Sequence, residues 1–107
     1  MLKKQYRLSD FKKLKSKTIN SPLFTLKYLE SGEKVSKFAF IISKKIDKRA
    51  VVRNKIKRQL SKSIENILEK IKTGYNFIFI ARKEILGKNQ KEIETEVEKI
   101  FPEKLKL

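Results

Sequence analysis

The chain predicts an α+β fold, a small sheet with helices packed on it, in the order helix, strand, strand, helix, strand, helix. Three observations predict it. Two apolar runs of strand length, "LFTLKYLE" (23–30) and "VSKFAFIIS" (35–43), flank the turn sequence "SGEK" (31–34). Apolar residues then recur at helical spacing from Val52 to Ile71. A third run, "YNFIFIAR" (75–82), is apolar at both parities, as a strand covered on both faces is. With 107 residues, 39% of them apolar, the chain is expected to form one domain over 1–107 around a modest core. Helices packed on a small sheet are the economical way to bury these faces.

Each element has its own local cause. Ser9 can cap a short helix to about Lys15, with Phe11 and Leu14 on one side. "INSP" ends it, because Pro22 cannot continue a helix. The two strands that follow are expected to pair antiparallel as a hairpin, with Gly32 free to take positive φ in the turn. The long helix is predicted from Ala50 to Lys72. Stepping about 100° per residue from Val52 puts Val52, Ile56, Leu60, Ile64, Ile67 and Ile71 in one arc, with Asn54, Lys55, Arg58, Ser61 and Lys62 opposite. Thr73-Gly74 is its stop. Asn89 caps a last helix, "QKEIETEVEKIF", whose apolar stripe is Ile93, Val97, Ile100 and Phe101 and which Pro102 ends.

Charge narrows the function. The chain has 28 basic and 12 acidic residues, a net +16, and repels itself when compact. A polyanionic partner is expected, nucleic acid before an anionic membrane surface. There is no cysteine and no histidine, which removes disulfides, thiolate zinc sites, cysteine nucleophiles and the commonest general base. No apolar run reaches the length of a membrane span, and "MLKKQYRLSDF" lacks the apolar stretch of a signal peptide. A cytoplasmic location without membrane attachment is expected.

The charge is concentrated. Residues 44 to 62 hold Lys44, Lys45, Lys48, Arg49, Arg53, Lys55, Lys57, Arg58 and Lys62 against the single acid Asp47, a net +8 in 19 residues. A solvated helix face mixes signs, because Glu–Lys pairs four apart stabilise it, yet no acid occurs from Lys48 to Ile64. The cations lie at the helix start, where the macrodipole disfavours them and favours a bound phosphate. Three of the five arginines in this lysine-biased chain are Arg49, Arg53 and Arg58. Arginine's planar fork binds phosphate at two points. Arg53 falls inside the apolar arc, where snorkelling past the sheet edge explains it.

The same residues carry a family resemblance. "SKKI" (43–46) followed by "AVVRNKIKRQL" (50–60) resembles the signature of the bacterial ribonuclease P protein subunit, on Ser43, Lys44, Lys45, Ala50, Val51, Arg53, Asn54, Lys55, Lys57 and Arg58. Ala81-Arg82-Lys83 and "RLSDF" (7–11) extend the likeness over nearly the whole chain. Asp47-Lys48-Arg49 departs from the family's shorter, glycine-containing loop, Lys55 replaces a second arginine, and Ser61 stands where a basic residue is common. The resemblance implies a subunit that binds the catalytic RNA of ribonuclease P through Lys44, Lys45, Arg49, Arg53, Asn54, Lys55, Lys57, Arg58 and Lys62. The RNA subunit, with Mg²⁺, removes the 5′ leader of precursor tRNA, while the protein contributes no catalytic residue and binds no metal itself. A monomeric protein is expected. The resemblance also implies a left-handed crossover joining the second strand to the strand after the long helix, against the usual right-handed rule.

The family holds the leader between the first helix and the sheet, and strand parity drafts that cleft. Phe24, Leu26 and Tyr28 should face the core, as should Phe38, Phe40 and Ile42. Thr25, Lys27, Ala39, Ile41 and Ser43 would floor the cleft, with Phe11 beside it. Bases stacking on an aromatic while cations follow the backbone suit a single strand. A ribosomal or other structural RNA-binding protein explains the charge and size equally well, but not the combined motifs. A membrane-surface protein would need exposed apolar residues on the basic helix, and duplex DNA binding lacks a dimer element.

Overall fold

The computed structural model describes residues 17–71 and 73–101. Four strands form one sheet: β1 (Lys17–Asn20), β2 (Phe24–Glu30), β3 (Lys37–Ile41) and β4 (Tyr75–Ala81). Helix α1 (Ala50–Ile67) connects β3 to β4, and α2 (Gln90–Lys99) follows β4. The spatial order is β1-β2-β4-β3, with β4 antiparallel to β2 and parallel to β3. The α+β class is as predicted. The predicted first helix, including Phe11, lies outside the described residues, as does Pro102.

The expected hairpin between the two early strands does not form. β4 lies between them, pairing Leu26 with Phe79 on one side and Phe40 with Phe79 on the other. The connection after β2 explains the difference. The Ser31 N–H donates to the Gly74 carbonyl (2.7 Å), and the Tyr75 N–H donates to Ser36 Oγ (3.1 Å). The loop is therefore tied to the start of β4 instead of closing a tight turn. Gly32 takes φ +75°, as the turn sequence predicts, but within this wider loop. A strand that sequence reading missed, β1, is the other change. It has one apolar residue, Ile19, and pairs with β2 across Ser21-Pro22-Leu23, closed by Ser21 N–H to the Phe24 carbonyl at 2.9 Å.

Helix α1 ends earlier than predicted. It tightens into a 3₁₀ turn at Leu68–Lys70, and the Ile71 N–H reaches the Leu68 carbonyl at 3.2 Å. Such a turn satisfies carbonyls that a helix end leaves open. Ile56, Leu60, Ile64, Ile67 and Ile71 are buried as the arc predicts, and Val52 is half-buried against them. Ser61 is buried, not outward with Lys62, so the covered surface of α1 is wider than its apolar arc. Ser63 is buried too, donating to the Gln59 carbonyl (2.8 Å) and accepting from Gln90 Nε2 (3.0 Å) where α2 meets α1.

One face of the sheet carries the core. Phe24, Leu26, Phe38, Phe77 and Phe79 are buried there against α1 and the stripe Ile93, Val97, Ile100 and Phe101. Phe101 meets Phe77 edge-on, centroids 5.3 Å apart, and Phe77 stacks on Phe38 at the same distance. Phe79→Ala should therefore destabilise the protein by about 3–5 kcal/mol in denaturant unfolding. Ile80→Ala, on the half-buried opposite face of the same strand, should cost clearly less. Equal losses would contradict this assignment of the faces.

Candidate nucleic-acid interface

The basic segment begins where β3 ends. Ser43, Lys44 and Lys45 enter a turn closed by the Ile46 N–H to the Ser43 carbonyl (3.0 Å), and half-buried Ile46 anchors it to the core. Helix α1 starts at Ala50 with no side-chain cap and no acid in its first turn. Asn54, Lys55, Lys57, Arg58 and Lys62 are all exposed. The side chains of Lys44, Lys45, Lys48, Lys55, Lys57, Arg58 and Lys62 form no hydrogen bond or ion pair with another described residue. A face of unpaired cations around an uncapped helix start is a ready site for phosphate. Among the described residues the exposed large apolar side chain is Val51, 74% accessible, four residues from Lys55 and seven from Arg58 on the same face. Sequence reading gave Val51 no role, and only its position in the alanine-valine motif marked it.

The other two arginines are engaged within the loop. Asp47 Oδ1 accepts the Arg49 N–H (2.8 Å) and Nε–H (3.1 Å), and Oδ2 accepts from Nη2 (2.9 Å). Arg53 is half-buried and donates through Nη1 to the carbonyls of Asp47 (3.0 Å) and Lys48 (2.7 Å). Its place inside the apolar arc thus reflects a bond to the loop backbone. The Arg49 guanidinium hydrogen bond, followed by the Arg49 backbone N–H, holds the Asp47 carboxyl at about 2 instead of 3.8, and Asp47 in turn raises Arg49.

The opposite face of the sheet has the predicted parity. Cross-strand register aligns Thr18, Lys27, Ile78 and Ala39 in one row, and Asn20, Thr25, Ile80 and Ile41 in the next. Lys27 is exposed, Thr25 and Ile41 half-buried, and Ala39 buried between its neighbours, with exposed Ser43 beyond the strand end. Tyr28 faces the core side beside Tyr75 and Phe77. Sequence reading missed that Arg82 belongs to this face. Its Nη2–H donates to Asn20 Oδ1 (3.0 Å) and its Nε–H to Thr25 Oγ1 (3.3 Å), fixing a guanidinium at the end of the rows. The even spacing of Ile78, Ile80 and Arg82 was the available signal. No described helix is long and apolar enough to cross a membrane.

Fold and surface together define a small α+β protein with a cationic helix start next to a parallel crossover. Comparison with known proteins gives its family. The family model described as Ribonuclease P matches residues 2–104. The ribonuclease P protein component of Alkaliphilus oremlandii is 37% identical over 90 residues, covering 82% of this chain and 78% of that protein. That of Caldanaerobacter subterraneus is 31% identical over 102 residues, covering 94% and 87%. The solved ribonuclease P protein of Thermotoga maritima superposes with a TM-score of 0.75 at 18% identity, over 81% of this chain and 82% of that one. That of Staphylococcus aureus gives 0.73 at 23% identity, over 80% and 78%. The chain belongs to the ribonuclease P protein component family.

The Asp47 pairing has a pH signature. The carboxyl should titrate with a midpoint of about 2, against the ordinary 3.8, by NMR of its side-chain carbon. Because the folded value is depressed, its contribution to loop stability is complete above pH 3.8 and is lost as pH falls through about 2. Arg49→Ala removes the largest cause and should move the midpoint up toward the ordinary value. An unmoved midpoint would show that the pair does not form.

Proposed function

We propose that this chain is the protein subunit of ribonuclease P, that it binds the RNA subunit through the loop after β3 and the start of α1, and that it holds the 5′ leader of precursor tRNA on the second face of the sheet. The observation that carries this reading is the set of cations with unpaired side chains around the uncapped start of α1, with Asp47 the one acid among them, in a member of this family. Lys44, Lys45, Asn54, Lys55, Lys57, Arg58 and Lys62 are the direct contacts, and Arg49 and Arg53 belong to the same surface. Catalysis and Mg²⁺ lie with the RNA. The protein acts as a monomer in this reading. The leader would run over Thr25, Lys27, Ala39, Ile41 and Ser43, with Phe11 and the fixed Arg82 guanidinium beside it. Only precursor carries a leader, so that face separates substrate from product.

The deciding experiment is cleavage of precursor tRNA by the RNA subunit at low Mg²⁺, with and without this chain. Stimulation supports the reading, whereas RNA binding without stimulation would make the chain a structural RNA-binding protein. Two further outcomes follow. Arg58→Ala, folded by circular dichroism, should weaken binding to the RNA subunit by about 1–3 kcal/mol, the size of a charge-assisted hydrogen bond to phosphate. It should also lower the slope of log affinity against log salt by about 0.7–0.9. Lys27→Glu should leave RNA-subunit affinity near that of the wild type and narrow the precursor-to-mature tRNA affinity ratio by roughly 0.3–1 kcal/mol, a range set by its solvated position. An unchanged ratio would place the leader elsewhere.

A further inference from the structure

We propose that Asp47 is a positioning residue for RNA binding: the one acid of the basic segment strengthens the grip on RNA by fixing the loop that presents Lys44, Lys45 and Lys48. The proposal rests on the reading that this surface binds the RNA subunit. Electrostatics alone gives the opposite sign, since a carboxylate among nine cations lowers the attraction for phosphate, over a range limited by screening.

The geometry argues that this carboxylate has little surface to offer an incoming phosphate. The Asp47 side chain is only 13% exposed, whereas that of Arg49, laid across it, is 74% exposed. Both carboxylate oxygens accept from Arg49, at 2.8, 3.1 and 2.9 Å. One of these bonds is to the Arg49 backbone N–H, and Arg49 is the residue from which α1 starts. Its carbonyl accepts the N–H groups of Val52 and Arg53, each at 3.2 Å. Asp47 thus fixes the backbone at a helix start that has no side-chain cap of its own. Arg53 closes the loop from the helix side through the carbonyls of Asp47 and Lys48. Ile46 holds the other end in the core. The side chains of Lys44, Lys45 and Lys48, beside these ties, have no described partner.

Labour is therefore divided by residue type. Arg49 and Arg53 use their forks on the loop, and the lysines are left to meet phosphate. This differs from the expectation that arginine forks in this segment all bind RNA directly. A loop held in its bound shape avoids the ordering that a free loop would undergo on binding.

The test is the affinity of the full chain for the ribonuclease P RNA subunit across a salt series. Asp47→Ala should weaken binding about threefold to tenfold, the scale of ordering one or two side chains. Its log–log salt slope should match that of the wild type, because no phosphate contact is removed. Asp47→Asn keeps an acceptor for the Arg49 N–H and should recover most of the loss. Binding by Asp47→Ala as tight as the wild type or tighter overturns the proposal, as does a loss in Asp47→Asn as large as in the alanine variant. Should Asp47→Ala fail to fold by circular dichroism, Arg49→Ala breaks the same pair from the other side. Weaker binding at unchanged slope supports the proposal. A slope lower by about 0.7–0.9 would make Arg49 a phosphate ligand and overturn it, as would wild-type affinity. Arg58→Ala, measured alongside, separates the two claims. If it too binds normally, the RNA surface itself is misplaced, whereas its loss with an unaffected Asp47→Ala sinks the positioning role alone.

Discussion

The insertion of β4 between β2 and β3 is the constraint on which the rest of the structure depends. A parallel neighbour of β3 cannot be reached by a tight turn, so the chain must cross over, and α1 makes the crossing. The loop between β3 and α1 is thereby placed at one end of the sheet, and that loop and the helix start carry half of the net charge. The same insertion sets Phe77 and Phe79 in the core while Ile78 and Ile80 form the middle of the opposite face. Both candidate surfaces therefore follow from where one strand pairs.

The two helices show how the chain treats stability and function differently. α2 begins with a full capping box, in which Asn89 Oδ1 accepts the Glu92 N–H (2.9 Å) and Glu92 reaches back to the Asn89 N–H. It has an acid in its first turn and Lys99 in its last, complementing its dipole. α1 has neither device and adds cations at its positive end. A missing N-cap costs about 0.5–2 kcal/mol. Burial of Ile56, Leu60, Ile64 and Ile67 compensates, and Gln90 and Asn66 tie the helix to α2 through Gln59, Ser63 and Glu94. In the proposed reading, a helix start left open in this way is a liability in the free protein and an asset once RNA phosphate is bound.

Much of this was legible in the chain because periodicity reports burial directly. The α1 arc, the α2 stripe and the alternation in β2 and β3 each follow from one residue spacing. Pairing was not legible. "SGEK" with Gly32 is good turn chemistry, and nothing local says that Ser31 and Ser36 bond to the start of β4 instead. The apolar residues at both parities of 75–82 marked a strand but not which strands flank it, and the expected cover on both faces is not seen among the described residues, where Ile78 and Ile80 are only half-buried. β1 was missed because one apolar residue in four makes no pattern, and its existence depends on β2 across a three-residue turn. At the site, the exposed lysines and Arg58 were legible as charge without countercharge. The Asp47, Arg49 and Arg53 network was not, since short-range bonds to backbone carbonyls leave no periodic trace.

β3 links the two candidate surfaces mechanically. Ala39 and Ile41 lie on the second face of the sheet, and three residues after Ile41 the chain reaches Lys44 and Lys45. The strand is held on one edge by β4 and on its core side by Phe38, stacked on Phe77, and Phe40, stacked on Phe79 at 5.5 Å. It cannot slide by one residue without exchanging its two faces, which would put Phe38 and Phe40 where Ala39 and Ile41 now lie. The register of β3 therefore fixes where the loop leaves the sheet, and the ties within the loop set how its lysines are presented in the proposed reading. In the proposed reading the leader floor and the RNA-facing loop thus share one strand, which itself contributes few charged residues.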